Sequence, residues 1–464
     1  MRHCGARDGK WILAVAASLA LSGCVLAPKG TKAEQAKLEL ASRPFEPAAE
    51  SRQLPELPTP ADWRSMLQRA FLANGELESA YFDWKASMAR IDQAAAWPNS
   101  NASVGFSYMF SPGKMKSWDR TTVSAGYPGM SLSLPIKPQT AGKVALEAAR
   151  ASGERFRAIK FDLQQNILKA YLDLALTEEK ARIQQDNVAV LKALASSAAN
   201  RVQAGGTQQD LLKAQIEAQL AENELGNLEA EARSRRASLN GMLARDLDAP
   251  LVLATALPEP RPVITDDARL ILVAVDENPE LASLARLVAG RTDAIELARL
   301  QFLPDFNPSA GFTGSVSQFA GVMLALPTNV PSIRGAINEA KAMWRSADAA
   351  ARQTKRDRAA SFIAALYIMR NSERQVELFD KRISPAARQL LASSQQAYAS
   401  GAVGFVDLID SERTLIAVRV LVAEARIERE KRLAELEALA GTDVETLGQP
   451  APAPATEPAT QPAN

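Results

Sequence analysis

An internal duplication restricts the fold most, because any architecture must accommodate two copies of one unit. The segment NGEL at 74–77 recurs as NPEL at 278–281, and a Gly-Phe pair follows a proline at the same spacing, at 105–106 and 311–312. Tyr171 precedes Gly205 by the same interval that separates Tyr367 from Gly401. Agreement at several offsets predicts two structural repeats, 61–260 and 261–447. Each is predicted to run helix, β hairpin, very long helix, tight turn and long helix.

The predicted hairpins show the two-residue period of β-strands. In the first, at 101–136, apolar residues alternate with small or polar ones in an outward strand and in a return strand near 130–136. The alternating residues are Val104, Phe106, Tyr108 and Phe110, then Met130, Leu132, Leu134 and Ile136. The second hairpin, at 306–327, has almost no loop beyond Ser317 and Gln318. Four strands near the length that crosses a membrane at a tilt would result, although soluble hairpins that cap a helical domain remain an alternative.

The stretches after each hairpin predict unusually long helices, at 142–204 and 207–243 in the first repeat and at 332–400 and 405–441 in the second. Apolar residues recur at spacings of three and four, for example at Val188, Leu191, Ala195, Ala198 and Val202. This pattern indicates coiled-coil packing, and abundant alanine would let each helix pack on two sides, as a closed helical cylinder requires. An isolated antiparallel coiled coil would have the same periodicity.

Both ends of the chain differ in composition from the repeats. Residues 1–23 combine a basic start with a short apolar run, and Leu-Ser-Gly-Cys at 21–24 resembles a bacterial lipobox. We therefore predict a lipoprotein signal peptide at 1–23, acylation of Cys24 and sorting to the outer membrane, with a signal peptide beside an incidental cysteine as the alternative. The proline-punctuated stretch 24–60 predicts an extended arm. The alanine- and proline-rich stretch 448–464 predicts a disordered tail.

The charge and the distribution of reactive side chains disfavour several classes of function. Formal net charge is +1, from 54 basic and 53 acidic residues, so no global field would attract nucleic acid. The sole histidine is His3, inside the predicted signal peptide. Histidine-based catalysis and His-ligated zinc are thereby disfavoured, and the sequence contains no phosphate-binding loop or nucleophile elbow. We expect no enzymatic activity, no cofactor and no metal site.

Four strands per chain are too few to close a membrane barrel, whose smallest form has about eight. The chain is therefore expected to oligomerise, and either a dimer or a trimer could close such a barrel.

Two turn segments resemble the signature turns of the TolC family of outer-membrane efflux proteins. They are RVQAGGTQQDLLKAQ at 201–215 and YASGAVGFVDLIDSERTL at 398–415, and Leu-Pro pairs at 303–304 and 326–327 are also similar to the family pattern. The resemblance covers about 58–441, and features near 239–243 and 411–415 are somewhat closer to the heavy-metal efflux branch.

The resemblance implies a mainly α fold with a small β part. Two repeats would give an α-barrel tunnel of long coiled-coil helices, plus four strands contributed to a transmembrane β-barrel shared by a homotrimer. It implies a passive exit duct in the outer membrane, fed by a periplasmic adaptor and an inner-membrane pump of the resistance-nodulation-division type. A lipid-anchored periplasmic coiled-coil scaffold is the alternative, although it gives no reason for the alternating hairpins.

The small residues of the two turns are the candidate docking surface for the adaptor. They are Gly205 and Gly206 in the first turn, and Gly401, Ala402, Val403 and Gly404 in the second. Small side chains permit a sharp reversal and leave shallow grooves for a helical hairpin. The alternative is that these glycines only terminate helices.

Asp407 and Asp410 are the candidate gate. They lie three apart at the start of a helix, so threefold symmetry would bring six carboxylates to one axis. Helix capping is an alternative for Asp407. The resemblance adds Asp210 and Tyr398 to the contacts that hold the entrance shut. Because Val403 stands where well-known members carry a basic residue, and the first turn is one residue shorter, we expect a gate held by packing more than by an ionic lock.

Overall fold

The computed structural model describes residues 24–97, 103–110, 113, 115–126, 132–203, 207–254 and 257–444. In chain order its main elements are α1 (Thr31–Ser42), α2 (Trp63–Ala73), α3 (Gly75–Ala95), β1 (Ser103–Tyr108), β2 (Thr121–Gly126), α4 (Ile136–Gln203), α5 (Gln208–Met242), α6 (Asp267–Glu277), α7 (Pro279–Arg299), β3 (Asp305–Thr313), β4 (Ser317–Ala325), α8 (Val330–Leu378), α9 (Ser384–Ala399) and α10 (Phe405–Ala440). The predicted fold class, mainly helical with a small four-stranded part, is confirmed. Among these described residues, no helix is both long enough and apolar enough to cross a membrane.

Helix α4 is the longest element, with 68 residues and a length of about 100 Å at 1.5 Å per residue. It begins earlier than the predicted start at 142. Pro138 lies in its first turn, where the missing N–H would have no helical partner in any case. Helices α5 and α10 contain 35 and 36 residues and follow the two signature turns.

The prediction of one continuous helix over 332–400 is wrong. Helix α8 ends at Leu378, a π-helical segment spans Phe379–Ile383, and α9 follows from Ser384. Pro385 explains the interruption, because it lacks the N–H that would bond the carbonyl four residues earlier. The stretch remains helical on both sides of the interruption.

The sheet is antiparallel in the order β1-β2-β3-β4. Strand β2 joins the two hairpins, with Val123 paired to Phe312 and Thr122 to Thr313. The turn between β3 and β4 occupies 314–316, where Gly314 has a φ of +47° and a Cβ would collide with the backbone of Asp119. The loop expected at Ser317 and Gln318 is therefore wrong, because both residues pair within the strands.

The return strand of the first hairpin was predicted near 130–136, and this prediction is also wrong. The return strand is β2, ten residues earlier, and Ile136 already belongs to α4. Leu132 makes a single antiparallel bridge to Phe306, and it is buried together with Ser133. Position 130 itself lies outside the described residues. The apolar alternation near 132–136 thus reflects a buried connection into the helix, whereas β2 carries mostly Thr, Ser and Ala and has no clear amphipathic pattern.

The described residues form two compact units. The first comprises residues up to Glu46, Glu78–Phe156 and Glu280–Thr354, and it contains the sheet. The second comprises Pro47–Leu77, Arg157–Pro279 and residues from Lys355 onward. One cluster of buried apolar residues in this unit includes Leu270, Phe362, Leu366, Met369, Leu433 and Leu436.

The arm predicted as extended over 24–60 contains regular structure in the first unit. Residues 24–25 pair with 96–97, and α1 follows with Leu38 buried. Phe45 stacks on Tyr81 with ring centroids 4.9 Å apart. The prediction of an extended arm is wrong because the prolines at 28, 44 and 47 flank a stretch rich in Lys, Glu, Ala and Leu, which favours helix. The predicted signal peptide and the predicted tail from 448 lie outside the described residues.

Candidate functional site

The turn between α9 and α10 contains most of the predicted site residues. Gly401 has a φ of +79°, the left-handed conformation that glycine adopts without steric cost. The N–H of Ala402 donates to the carbonyl oxygen of Ala397 at 2.8 Å, which closes the end of α9. In the described structure, no heavy atom beyond its chain neighbours lies within 4 Å of where a Cβ on Gly401 would stand. Gly401 therefore ends a helix, as the alternative predicted, and the space around it is open.

The remaining residues of this turn differ in how far their side chains are exposed to solvent. Ala402 and Gly404 are exposed, whereas Val403 is half-buried against a cluster of apolar residues, which we call the turn cluster. The buried members of the turn cluster are Val188, Leu191, Ala214, Ala218, Ala221, Tyr398, Phe405, Leu408 and Ile409. Gly205 and Gly206 lie outside the described residues, so the surface of the first turn is a prediction only.

Tyr398 is a buried member of the turn cluster. Its ring meets that of Phe405 edge to face, with centroids 5.8 Å apart. The guanidinium of Arg201 lies 4.0 Å from the centroid of the Tyr398 ring, and its Nη2 donates to the Tyr398 carbonyl oxygen at 2.9 Å. Such a cation–π contact contributes about 0.5–2 kcal/mol. Arg201 thus joins the end of α4 to the end of α9.

Arg201 and Phe405 are site residues that the sequence pattern did not indicate. Arg201 is the first residue of the first signature segment and lies seven residues before α5. Its place in that segment was the one sequence feature that could have marked it as a candidate site residue. Its contact with Tyr398 depends on how two distant turns pack, which spacing along the chain does not show.

The candidate gate carboxylates lie on two helices. Asp407 and Asp410 are exposed near the start of α10, and Asp210 is half-buried in the first turn of α5. The backbone N–H of Gly404 donates to Oδ2 of Asp407 at 3.2 Å, so Asp407 caps α10. The alternative of helix capping is thus observed for Asp407. A ring of carboxylates around a symmetry axis stays a prediction.

A buried ion-pair network near the end of α10 was not predicted. Arg261 contacts Glu430 at 3.0 Å and Glu437 at 2.9 Å, and Glu437 is only 1% exposed. Arg429 also pairs with Glu430 and, at 3.1 Å, with Glu373. Burial by itself lowers the pKa of Arg261, but Glu437 and Glu430 outweigh burial and raise that pKa above its ordinary value. The guanidinium is therefore charged at any physiological pH.

The predicted lipidation site is described by its backbone alone. Cys24 pairs with Trp97 in a short antiparallel ladder, and the N–H of Leu26 donates to the Ala95 carbonyl oxygen at 2.8 Å. The Cys24 side chain lies outside the described residues. Within the ranges that are described, no group of three or more His, Cys, Asp or Glu side chains could hold a metal ion.

The chain is similar to solved outer-membrane channels over most of its length. The open-state MtrE outer membrane channel of Neisseria gonorrhoeae matches with a TM-score of 0.67 and 17% identity, covering 82% of this chain and 89% of that one. For the CmeC outer membrane channel of Campylobacter jejuni the TM-score is 0.65 and the identity 14%, with 82% and 86% covered. CusC, studied for folding and transmembrane channel formation, matches with a TM-score of 0.65 and 16% identity over 84% and 99% of the two chains.

The chain therefore has the fold of the TolC-type outer-membrane efflux channels. In sequence it is 23% identical over 265 residues to the fusaric acid resistance protein FusA of Burkholderia cepacia. That match covers 52% of this chain and 47%, about half, of the relative. No model of a known protein family matches the chain.

Proposed function

We propose that this chain is the outer-membrane exit duct of a tripartite efflux system. As a homotrimer it would conduct substrate passively from an inner-membrane pump and a periplasmic adaptor to the outside, without chemistry of its own. The similarity to outer-membrane channels supports this role, and the relative named for fusaric acid resistance supports export of a small toxic molecule. The nearer resemblance to the heavy-metal branch stays a prediction.

The observation that carries the proposal is the exposed sheet. All nine residues of β4 are exposed, and Val322, Met323 and Leu324 are 63–66% exposed. Among the described strands, β1 and β4 are the edges, so each has a row of backbone groups without a partner strand. In water such a sheet would aggregate. Further copies that extend the sheet would pair its edges, and three copies would supply twelve strands. Lipid against one face would cover the side chains of Val322 and Leu324, which share that face because side chains alternate along a strand.

The test of this function is the state of the protein in the outer membrane. We expect the full chain to fractionate with outer membranes and to migrate as a trimer on a denaturing gel without heating. Boiling should convert the trimer to monomer. Monomers that are released from the membrane once the anchor is removed would instead support the lipid-anchored scaffold.

The N-terminal anchor is a second part of the proposal. We propose that Cys24 carries acyl chains that hold the arm at the periplasmic leaflet of the outer membrane. Several acyl chains anchor stably at about 0.8 kcal/mol per buried methylene, whereas one chain does not. Mass spectrometry of the mature protein should show the acylated cysteine. An unmodified N-terminus would contradict the anchor, and Cys24→Ala should lose the acyl mass while still forming trimers.

The second turn would serve both the adaptor and the gate. Ala402 and Gly404 are exposed and small, and Gly401 has open space around it, which suits the approach of a partner helical hairpin. The gate would use the packing of Tyr398, Phe405 and Arg201 to hold the helices together. Asp407 and Asp410 would set its preference for cations, and Asp210 would contribute from α5.

A further inference from the structure

A buried carboxylate faces a cavity between three helices of the second unit. Glu412 on α10 is 4% exposed, and its Oε2 has no hydrogen-bond partner among the described residues. The cavity measures about 200 Å³ and lies between α4, α5 and α10. Its lining includes Gln184, Asn187, Leu191, Glu217, Leu220 and Ile409.

Among the described residues, no cation forms an ion pair with Glu412. Glu217 lines the cavity from α5, but it pairs with Arg413 of α10. The cation that acts on Glu412 is Arg419, which already pairs with Asp186 of α4 at 2.8 Å. Helix α9, which also packs on α10, contains one charged residue, the exposed Arg388.

An ionised carboxylate in such a place is costly, because burial removes most of its water and no described residue donates a hydrogen bond to Oε2. Burial accordingly raises the pKa of Glu412, and the charge of Arg419 offsets this rise only in part. The charge can be satisfied by water in the cavity, by a proton, or by a cation that enters it, and a cation is the one of the three that also cancels the charge while the carboxylate stays ionised.

We propose that this cavity binds a small organic cation of the primary ammonium class, with its charge on Glu412. The chemistry of the lining favours such a ligand over a hydrated metal ion. Leu191, Leu220 and Ile409 offer apolar wall to an alkyl chain, while the side-chain oxygens of Gln184 and Asn187 can accept N–H bonds. The lining has a net charge of −1, which lies on Glu412, because the charges of Glu217 and Arg413 cancel.

The test uses n-butylammonium as the probe and n-butanol as its neutral counterpart, with the purified full-length protein in detergent. Saturation-transfer NMR should detect n-butylammonium bound to the wild type, more tightly at about pH 8 than at about pH 5, because the ionised carboxylate is the binding form. Glu412→Gln keeps the shape and removes the charge, and it should raise the dissociation constant at least about tenfold. n-Butanol should bind weakly and equally to both proteins.

Glu424→Gln is the matched control, because Glu424 lies on the same helix outside the cavity and pairs with Lys180 at 2.6 Å. It should bind the probe as the wild type does. The proposal is overturned if the wild type does not bind n-butylammonium, or if Glu412→Gln binds it equally well. Binding of n-butylammonium does not require conduction. Failure of the channel test would therefore not contradict this binding site, and failure of the binding test would not contradict the exit-duct function.

Discussion

At the residue scale, the two aspartates at the start of α10 are exposed, and Asp407 also accepts the N–H of Gly404. A charge-removing variant should therefore preserve that acceptor. We expect Asp407→Asn combined with Asp410→Asn to abolish block by a trivalent cation such as hexamminecobalt(III), added on the periplasmic side of a planar bilayer. The reason is that a multivalent cation binds where carboxylates of symmetry-related copies converge.

The control for this experiment is Asp348→Asn, which removes a carboxylate from the middle of α8. It should leave block unchanged, since Asp348 pairs with Arg352 on its own helix. If the double variant is blocked as strongly as the wild type, these aspartates are helix-start residues and not the gate.

Ala402 is the residue that tests adaptor docking. Ala402→Arg places a long charged side chain on an exposed position of the turn. It should abolish the resistance of cells to the compound that the efflux system exports, while the amount of trimer is unchanged. Ala386→Arg is the matched control, because Ala386 is equally exposed on α9 but lies away from the turn. Undiminished resistance with Ala402→Arg would place the docking surface elsewhere.

At the scale of elements, the ion pairs of Arg261 fix the segment before α6 onto α10. Arg261→Met would leave the buried carboxylates of Glu430 and Glu437 without this partner, and we expect a loss of about 3–5 kcal/mol in the free energy of unfolding. Thermal unfolding followed by circular dichroism should show the loss as a lower midpoint. Arg388→Met, which removes an exposed arginine, should change it little. Equal midpoints for the two variants would mean that the network contributes little.

The long helices and β1 could be predicted from the sequence because their signals are local. Spacings of three and four mark α4, α5 and α10, and Val104 and Phe106 alternate with small residues in β1. Strand β2 was missed because Thr, Ser and Ala give no amphipathic contrast, and its partners on both sides supply the pairing. The π-helical break was missed although Pro385 was visible, because a proline inside a strong helical pattern does not show whether the helix stops or shifts its hydrogen bonds.

The candidate site, like the fold, could be predicted from the sequence only where its signals are local. The turn and its Gly401 were visible as a glycine motif. Tyr398 is buried in the turn cluster, and the gate expected there stays a prediction. Arg201, Glu412 and the Arg261 network were not visible, because the surroundings of each are formed by residues distant in sequence. Glu430 and Glu437 lie seven residues apart, a spacing that puts both on one helix face. Their role as partners of a buried ion pair could not be inferred without knowing that Arg261 packs against that face.

At the scale of the whole molecule, the exposed four-stranded sheet and the similarity to outer-membrane channels are the two features that support an exit duct. As part of an exit duct, the apolar residues exposed along β4 would face lipid and further copies of the sheet. A coiled-coil scaffold needs neither. The two functions therefore differ most in whether the protein conducts ions across a bilayer.

Single-channel recording of the purified trimer in a planar bilayer tests this most directly. An exit duct should give discrete, long-lived conductance steps of uniform size, and the closed-state current should change when Tyr398→Ala loosens the turn cluster. Protein that inserts or adheres as a trimer but yields no conductance steps, in the wild type and in Tyr398→Ala alike, would contradict the exit-duct function.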